Sequence, residues 1–361
     1  DGVLSLSLSL FSLSLSLFSL SRMSLIAGSY EKFIWGFRLK PSSETLTLTQ
    51  LFSYPSHLGP ITSAAACGPV AASGSSDDTV HLYDLSSASS LGPLPHHHAA
   101  SVTSLAFFAP PSLSLPRNLV SGDASGHVCI FDTDPFVHLK TVRVHKKAVN
   151  DVSLHPSGRL ALTVGRDECL GMLNLIRGRR SFLCRLGKEA SLVRFASGGG
   201  RFFLVSEEVV GIHEAEDARV LNQFHCPKRV LAATPGENGV LFTGGEDRGI
   251  TMWDTNSGKI ACSIEGAHSS RVKGIVVLSR TSADGAADDH PFLVASASSD
   301  GVIRVWDVRM AMKERPNPLA EVDTKSRLTC LAGSSLKSSK KLQIGSNVST
   351  ENGATVEEAQ E

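Results

Sequence analysis

The chain has few cysteines, no excess of either charge and no long apolar run. Its 7 cysteines stand singly, and none has the spacing of a metal-binding pair. That pattern argues against a disulfide framework or a zinc site and indicates a reducing compartment. The 35 basic and 35 acidic side chains cancel, so no global field would drive nonspecific nucleic-acid binding. The sequence predicts no membrane-spanning helix and no cofactor.

An internal repeat is the strongest feature that the chain does contain. The segments 72–84, 242–254 and 295–307 each hold small residues, an Asp, an apolar residue and an aromatic followed by Asp. The aromatic position recurs every 40 to 53 residues, at Phe37, Tyr83, Phe131, Leu173, His213, Trp253 and Trp306. WD-repeat blades have a period of about 40–45 residues. We therefore predict an all-β fold, a seven-bladed WD-repeat β-propeller.

The two ends of the repeat array predict how the ring closes. Each unit is expected to form four short strands, which in the seventh unit are 260–264, 272–278, 292–296 and 303–308. Residues 24–40 contain only the second half of a unit, and residues 319–333 only the first half. Together they predict a composite blade built from both termini, which would pair otherwise open sheet edges.

The domain boundaries follow from composition. Residues 1–22 alternate Ser and Leu almost strictly, as an in-frame dinucleotide repeat would when translated. We expect them to be a non-native, disordered upstream segment, with Met23 as the natural start. Residues 23–333 are predicted to form the propeller. Residues 334–361 are rich in Ser, Lys and Glu, without an apolar pattern, and predict a disordered tail.

His, Ser or Thr, and Asp recur together along the chain. A His stands four residues before an apolar strand residue at His57, His98, His145 and His268. Such a set could suggest a hydrolase triad, but a triad occurs once and this set follows the repeat. We therefore predict a buried hydrogen-bonded blade network and no catalytic, metal or cofactor site. Its predicted members are His57, Ser73, Asp77, His145, Thr163, Asp167, Thr243, Asp247, Trp253, His268, Ser296, Asp300 and Trp306.

Two units depart from this pattern. In the third, Ser125 stands at the Asp position and Asp123 lies off it, so we expect Asp123→Ala to cost about 0.5 kcal/mol or less. The unit around His213 has lost nearly the whole set and is predicted to be degenerate. The run 96–98 of three His is interpreted as a surface loop rather than a metal site.

Four charged residues are candidates for partner binding. Lys146, Arg166, Glu246 and Arg271 stand just after the recurring His or just before the turn Asp, where they should point out of one mouth of the ring. Binding groups concentrate on such loops. The alternative is that they are ordinary solvated side chains. RNA contact could come only indirectly or from small basic clusters such as residues 177–180.

The sequence also resembles a known family in more than its repeat. The resemblance rests on segments 27–37, 155–165, 295–306 and 327–331, and it runs from Met23 to about Gly333. It is to the p21-activated-kinase-interacting-protein family of WD-repeat ribosome-assembly factors. A degenerate fifth blade and a composite blade are shared features. The tail departs from the long Lys-rich tail typical of the family, since it ends in acidic residues.

This resemblance implies a nuclear, nucleolar role in large ribosomal subunit assembly and pre-rRNA processing. It also implies protein partners, chiefly pre-ribosomal assembly factors, for a monomeric propeller. Metazoan members are also linked to negative regulation of p21-activated kinases. The sequence thus leaves two scaffold functions open, ribosome assembly, which we favour, and a kinase-binding adaptor. An enzyme on a propeller is nearly excluded by the periodic placement of the His, Ser and Asp residues.

Overall fold

The computed structural model describes residues 23–41, 46–95, 98–110, 112–113, 115–278, 293–308 and 316–335. These residues form seven four-stranded antiparallel sheets, and the sheets follow one another around a ring. The predicted seven-bladed propeller is therefore confirmed. The prediction for residues 1–22 lies outside the described residues, as does the predicted tail from residue 336 onward. Its first two residues, Ser334 and Ser335, are not part of a tail, because they pair with Ser24 and Met23 in the last strand. None of the described segments contains a helix long and apolar enough to cross a membrane.

Blade 1 is the composite blade, and blades 2 to 4 follow it in chain order. Blade 1 contains β1 (Met23–Ser29), β2 (Ile34–Pro41) and β3 (Leu46–Tyr54) with β28 (Leu328–Ser335). Blade 2 contains β4 (Ile61–Cys67), β5 (Val70–Ser75), β6 (Val80–Asp84) and β7 (Ser89–Pro93). Blade 3 contains β8 (Val102–Phe108), β9 (Asn118–Asp123), β10 (His127–Thr133) and β11 (Phe136–Arg143). Blade 4 contains β12 (Val149–Leu154), β13 (Leu160–Gly165), β14 (Cys169–Asn174) and β15 (Arg179–Arg185).

Blades 5 to 7 complete the ring. Blade 5 contains β16 (Leu192–Phe195), β17 (Arg201–Ser206), β18 (Val209–Glu214) and β19 (Val220–His225). Blade 6 contains β20 (Val230–Pro235), β21 (Val240–Gly245), β22 (Ile250–Asp254) and β23 (Lys259–Ile264). Blade 7 contains β24 (Val272–Leu278), β25 (Leu293–Ser298), β26 (Val302–Asp307) and β27 (Ala320–Asp323). The first strand of each, with β28 in blade 1, faces the axis of the ring.

The sequence repeat is offset from the structural blade by one strand. The strand β23, predicted to open the seventh unit, pairs with β22 in blade 6. Blade 7 instead ends with β27, which was assigned to the composite blade. The composite blade is confirmed, but it divides as three strands from the N-terminal region and one from the C-terminal region. The offset arises because the outer strands, such as β15, are largely exposed and carry little apolar pattern.

Closure of the ring depends on the pairing of β1 with β28. The two strands are antiparallel, with Ile26 opposite Ala332 and Met23 opposite Ser335. Every residue of β1 is buried, and β28 also contacts the inner strands β4 and β24. Pairing both ends of the chain in one sheet leaves no open edge at the join.

Seven apolar clusters hold neighbouring blades together, one at each interface. The cluster between blades 1 and 7 includes Leu25, Phe37 and Val305. The cluster between blades 6 and 7 includes Phe242 and Trp306. The other five fill the remaining interfaces in turn. Each blade therefore buries both faces against its neighbours, which is why the ring as a whole is the folding unit.

Candidate interaction surface

All seven inner strands begin at the same end of the ring, which we call the upper mouth. Because the strands of each blade are antiparallel, the turn between the second and third strands also lies at this end. The predicted network residues belong to these two loops and to the strands directly below them. The loop between the third and fourth strands lies at the opposite, lower mouth.

Blade 2 shows the network with all of its parts. The Oγ of Ser73 lies 2.7 Å from Nε2 of His57 and 2.9 Å from the hydroxyl of Tyr83. The Nδ1 of His57 lies 3.3 Å from the carboxylate of Asp77. Asp77 also accepts a hydrogen bond from the backbone N–H of Leu58 at 2.7 Å. This chain of bonds links the loop before the inner strand to the second and third strands.

Blade 4 repeats the arrangement without an aromatic member. The Nε2 of His145 lies 2.8 Å from Oγ1 of Thr163, and its Nδ1 lies 2.8 Å from Asp167. Leu173 occupies the aromatic position and is fully buried. The backbone N–H of Lys146 donates to Asp167, as Leu58 does in blade 2. The loop is therefore anchored in the same way in both blades.

Blade 7 has a looser version of the same set. The Oγ of Ser296 lies 2.7 Å from Nε2 of His268 and accepts a hydrogen bond from Trp306 Nε1 at 2.9 Å. The His268 Nδ1 to Asp300 distance is 3.6 Å, and this nitrogen has no hydrogen-bond partner within the described part of the chain. Asp300 instead accepts from the backbone N–H of Ser269 at 3.0 Å.

Blade 3 corrects one prediction from the sequence. Asp123, expected to lie off the network, is buried, and its carboxylate lies 3.0 Å from Nδ1 of His98. Nε2 of the same His lies 2.7 Å from Ser121 Oγ. Ser125, which holds the expected Asp position, donates its hydroxyl to Asp123 at 2.6 Å. The sequence position identified the correct turn, but the carboxylate that contacts His98 belongs to Asp123, two residues before Ser125.

Blade 6 keeps the indole and hydroxyl members and loses the imidazole. Trp253 Nε1 donates to Thr243 Oγ1 at 2.8 Å. Cys226 stands where the other blades have His, and burial raises the pKa of its thiol to about 11. Asp247 accepts backbone N–H groups of Gly245 and Gly249 within its own turn. With no imidazole beside it, burial raises the pKa of Asp247.

The network imidazoles do not share one protonation state. Burial lowers the pKa of His57 and of His268 to about 4, and the neighbouring carboxylates only partly oppose this. Burial is the largest single effect on His98 and acts to lower its pKa, but the hydrogen bonds and charges of Asp123 and Cys129 together outweigh it and raise that pKa to about 9. At neutral pH, blade 3 therefore holds a buried ion pair, whereas blades 2 and 7 hold neutral imidazoles.

The Asp–His–Ser order of these bonds is also that of a nucleophilic triad. A nucleophile must reach a substrate carbonyl, and the side chains of Ser73, Ser121 and Ser296 are 0% exposed. The Oγ of each Ser lies 2.7 Å from Nε2 of the His of its own blade. As arranged here, these groups connect strands and cannot act on a substrate.

Blade 5 lacks the network and has a pocket in its place. Leu204 stands at the hydroxyl position and Leu186 at the His position. His213, at the aromatic position, stacks on Phe202 and bonds to a backbone carbonyl within the lower loop. The result is a pocket of about 620 Å³ between blades 4, 5 and 6. Its polar lining includes Lys188, Glu189, Ser206, Glu207, Glu208 and Arg229.

The four charged candidates lie at the upper mouth on three different blades. Lys146 and Arg166 are exposed on blade 4, Glu246 is exposed on blade 6, and Arg271 is half-buried on blade 7. Blade 5 separates the first pair from the second. The structure thus places all four at one end of the ring but does not bring them into a single patch.

Sequence reasoning missed three basic residues beside Arg271. Arg229 and Arg327 are exposed at the upper mouth, and Lys273 lines the central channel. All three arginines lie close enough to act on Lys273, because burial lowers its pKa and the charges of the three arginines lower it further. The sequence feature that these arginines share is their place directly before the first apolar residue of an inner strand. This feature can be recognised only when the residues at which the inner strands begin are known.

Polar side chains contribute much of the lining of the central channel. Its lining encloses a cavity of about 250 Å³ and comes from all seven inner strands. Asp151 of blade 4 forms an ion pair with Arg194 of blade 5 and accepts the backbone N–H of Val193 at 2.9 Å. No group of three metal-ligating side chains occurs among the described residues. His96 and His97 lie outside them.

Comparison with known proteins gives a consistent family. The model of the WD domain, G-beta repeat, matches residues 48–84, 89–132, 136–171 and 263–307. The p21-activated protein kinase-interacting protein 1-like of Danio rerio is 32% identical over 309 residues, covering 86% of this chain and 80% of the relative. The p21-activated protein kinase-interacting protein 1 of Mus musculus is 34% identical, with 86% and 78% covered. The Shk1 kinase-binding protein 15 of Schizosaccharomyces pombe is 23% identical, with 86% and 83% covered.

Proposed function

The chain belongs to the p21-activated protein kinase-interacting protein 1 family of WD-repeat proteins, and from that premise we propose that it is a non-enzymatic scaffold for large ribosomal subunit assembly. It would act in the nucleolus, bind pre-ribosomal proteins through the upper mouth, and thereby support pre-rRNA processing. One observation carries the scaffold part of the proposal. Among the described residues, the recurring His, Ser or Thr, and Asp side chains lie inside the blades, whereas the upper mouth presents charged side chains to solvent.

The upper mouth suits this role because its loops are held rigidly. The backbone N–H of Leu58, Lys146 and Ser269 each donates to the network Asp of its own blade. The side chains of Leu58 and Lys146 are free to face a partner, and Leu58 is 86% exposed. A preorganised loop loses little conformational entropy on binding. Charged groups on such loops set the orientation and rate of association more than raw affinity.

The ribosomal part of the proposal is supported by the sequence segments that resemble the family of assembly factors. A second candidate, a kinase-binding adaptor, is favoured by the names of the relatives, which are kinase-interacting or kinase-binding proteins. Both functions would use the same rigid ring. They differ in the partner that co-purifies with the full chain.

The test combines fractionation with a pair of matched variants. In the upper-mouth variant, Lys146→Glu, Arg166→Glu, Glu246→Lys and Arg271→Glu reverse the four candidate charges. In the lower-mouth control, Arg177→Glu, Arg179→Glu, Glu216→Lys and Lys259→Glu make the same change in exposed residues of the opposite loops. Exposed substitutions of this kind cost little stability, and circular dichroism would verify both folds.

We expect the wild-type chain and the lower-mouth control to co-sediment with large-subunit precursors, and the upper-mouth variant to lose most of that association. Full co-sedimentation of a correctly folded upper-mouth variant would show that the binding face is wrong. A wild-type chain that never co-sediments but co-purifies with a Ser/Thr kinase would replace the ribosomal proposal with the adaptor.

A further inference from the structure

Three adjacent blades carry an arginine at the same structural position. Arg229, Arg271 and Arg327 each stand directly before an inner strand, β20, β24 and β28. The backbone carbonyl of each accepts an N–H from the turn of its own blade, at 3.0, 3.1 and 2.9 Å. These equivalent hydrogen bonds establish that the three positions correspond. In the other four blades this position holds Pro60, Ser101, Ala148 and Glu189, none of which is basic.

The three arginines form a continuous group because their blades are neighbours. The strand β24 contacts both β20 and β28 along the channel. Blades 6, 7 and 1 therefore present a row of guanidinium groups along nearly half of the upper rim. The side chains of Arg229 and Arg327 are exposed and that of Arg271 is half-buried, so all three can reach a bound molecule.

Lys273 adds a fourth cation just inside the channel. It is the second residue of β24, a position that holds Thr62 in β4 and Thr329 in β28. Those hydroxyls bond to the inner strand of the next blade, Thr329 to the carbonyl of Ile61 at 2.7 Å and Thr62 to that of Val102. Blade 7 gives up this link between blades, and the amine lines the channel instead.

The four cations have carboxylates nearby, but their side chains form no ion pairs with them. The Glu31 carboxylate accepts the backbone N–H of Arg327 at 2.9 Å, and the charge of Glu246 acts on Lys273. Within the described residues, no carboxylate lies within 4 Å of the side-chain nitrogens of Arg229, Arg271, Lys273 or Arg327. Burial lowers the pKa of Lys273, and the three arginines lower it further. Like charges held together in this way repel, and a bound anion would relieve that repulsion.

We propose that Arg229, Arg271, Lys273 and Arg327 form a basic arc that binds an acidic, extended segment of a partner protein. The inference rests on the proposed scaffold function and names the chemistry of one partner segment. Guanidinium groups would bind its Asp or Glu carboxylates in a bidentate manner along the rim. One acidic side chain would enter the channel mouth and meet Lys273. The ring of Tyr30, 54% exposed and stacked 5.4 Å from Arg327, would border the segment on blade 1.

The surroundings of the arc favour a short acidic peptide over RNA. Glu246 lies beside the arc, and Glu189, Glu207 and Glu208 line the adjoining pocket of blade 5. A continuous polyanion such as RNA would have to pass close to these carboxylates. It would be repelled by them, because they lie within the distance over which charges interact at physiological salt. Nonspecific single-stranded RNA binding also needs a long basic groove with several stacking aromatics. Beside the arc, the aromatic side chain that contacts one of its cations is Tyr30. A peptide can place its charges only where the cations are.

The test measures binding of a defined probe to the purified full chain. The probe is a fluorescein-labelled ten-residue peptide of alternating Glu and Ser, whose binding is followed by fluorescence anisotropy at low and at physiological salt. A uridine oligomer with five phosphates, and so with the same number of charged groups, is the competing probe. The arc variant is Arg229→Gln, Arg271→Gln and Arg327→Gln. The control variant is Arg177→Gln, Arg179→Gln and Lys259→Gln, which removes the same charge at the lower mouth.

We expect the peptide to bind the wild-type chain, more weakly as salt rises, and the arc variant to lose at least tenfold in affinity. The control variant should stay within twofold of wild type. Lys273→Met, tested alone, should weaken peptide binding while leaving the melting temperature unchanged. Equal loss in the arc and control variants, or no peptide binding at all, would overturn the proposal. Tighter binding of the uridine oligomer would also overturn it and assign the arc to RNA.

This assay and the fractionation test fail independently. Because the peptide assay uses only the purified chain, a scaffold that co-sediments with precursors but does not bind the peptide would remove the arc alone.

Discussion

Replacing Asp123 by Ala should be among the most damaging single changes in the upper half of the ring. Its carboxylate is 1% exposed and lies 3.0 Å from His98 Nδ1. It also accepts the backbone N–H groups of Ser125 at 2.9 Å and His127 at 3.0 Å, and the Ser125 hydroxyl. Removing it leaves a buried imidazolium without its counter-charge. Breaking a buried pair in this way costs about 3–5 kcal/mol.

Two other substitutions set the scale of the measurement. Asp300→Ala removes the equivalent carboxylate of blade 7, where the distance to His268 is 3.6 Å and the imidazole has a low pKa of about 4. No charge is stranded there, so we expect a loss of about 1–3 kcal/mol. Asp217→Ala removes an exposed carboxylate whose ion pair with Arg219 spans 3.9 Å, and it should cost about 0.5 kcal/mol or less.

Urea unfolding monitored by tryptophan fluorescence, at pH 7 and again above pH 9, would measure all three. The pKa of His98 is about 9, so the imidazole loses its charge in the second condition. The cost of Asp123→Ala should then fall towards that of Asp300→Ala. If Asp123→Ala and Asp217→Ala unfold at the same urea concentration, Asp123 is not a network residue. A cost of Asp123→Ala that does not change with pH would refute the buried ion pair as its cause.

Two further predictions concern closure and pH. A chain that ends at Arg327 lacks β28, the inner strand of blade 1, and should aggregate because β1 loses its partner on the inner side. A chain that ends at Ser335 should keep the wild-type melting temperature. Two soluble chains of equal stability would contradict the composite blade. The pKa values of His57 and His268, about 4, lie below the ordinary value of 6.5, so the unfolded chain binds more protons and the free energy of unfolding should rise from pH 4 to 6.5. The pKa of His98, about 9, lies above the ordinary value, so its contribution to stability is complete below pH 6.5 and is lost as pH rises through 9. In urea unfolding, His98→Gln should abolish this second change, and a pH profile without a maximum near pH 6.5 would refute both assignments.

The repeat made the architecture accessible from sequence, and the limits of that prediction have a physical origin. Aromatic–Asp pairs mark the third strand in four blades, where residues such as Tyr83 and Trp306 are buried, and the period of the repeat locates it in the other three. They could therefore number the blades correctly. The outer strands left little trace, because residues such as those of β15 face solvent and are under no constraint to be apolar. That is why β23 and β27 were assigned to the wrong blades.

The polar network was accessible to the same degree. Position along the strand located His57, Ser73 and Asp77, which contact one another. It could not show that the turn of blade 3 bends Asp123 towards His98, because two residues on the same turn can reach one imidazole. The basic arc was not found for a different reason. Arg229, Arg271 and Arg327 are far apart in sequence, and only the ring places them side by side.

Blades 5, 6, 7 and 1 present charged groups at the upper mouth that blades 2, 3 and 4 lack at the equivalent positions, and this asymmetry suits the proposed scaffold function. A ring of seven equal blades would present the same surface in seven directions and could not orient a partner. Here blade 5 has lost its network and presents glutamates around a pocket, while blades 6, 7 and 1 present arginines at equivalent positions. Arg229 borders both regions. A partner with an acidic segment next to a basic one would therefore fit in a single orientation, since reversing it would place like charges together at both sites. The buried network holds the loops of the blades that keep it, and the charged groups of blades 5, 6, 7 and 1 give the upper mouth a direction.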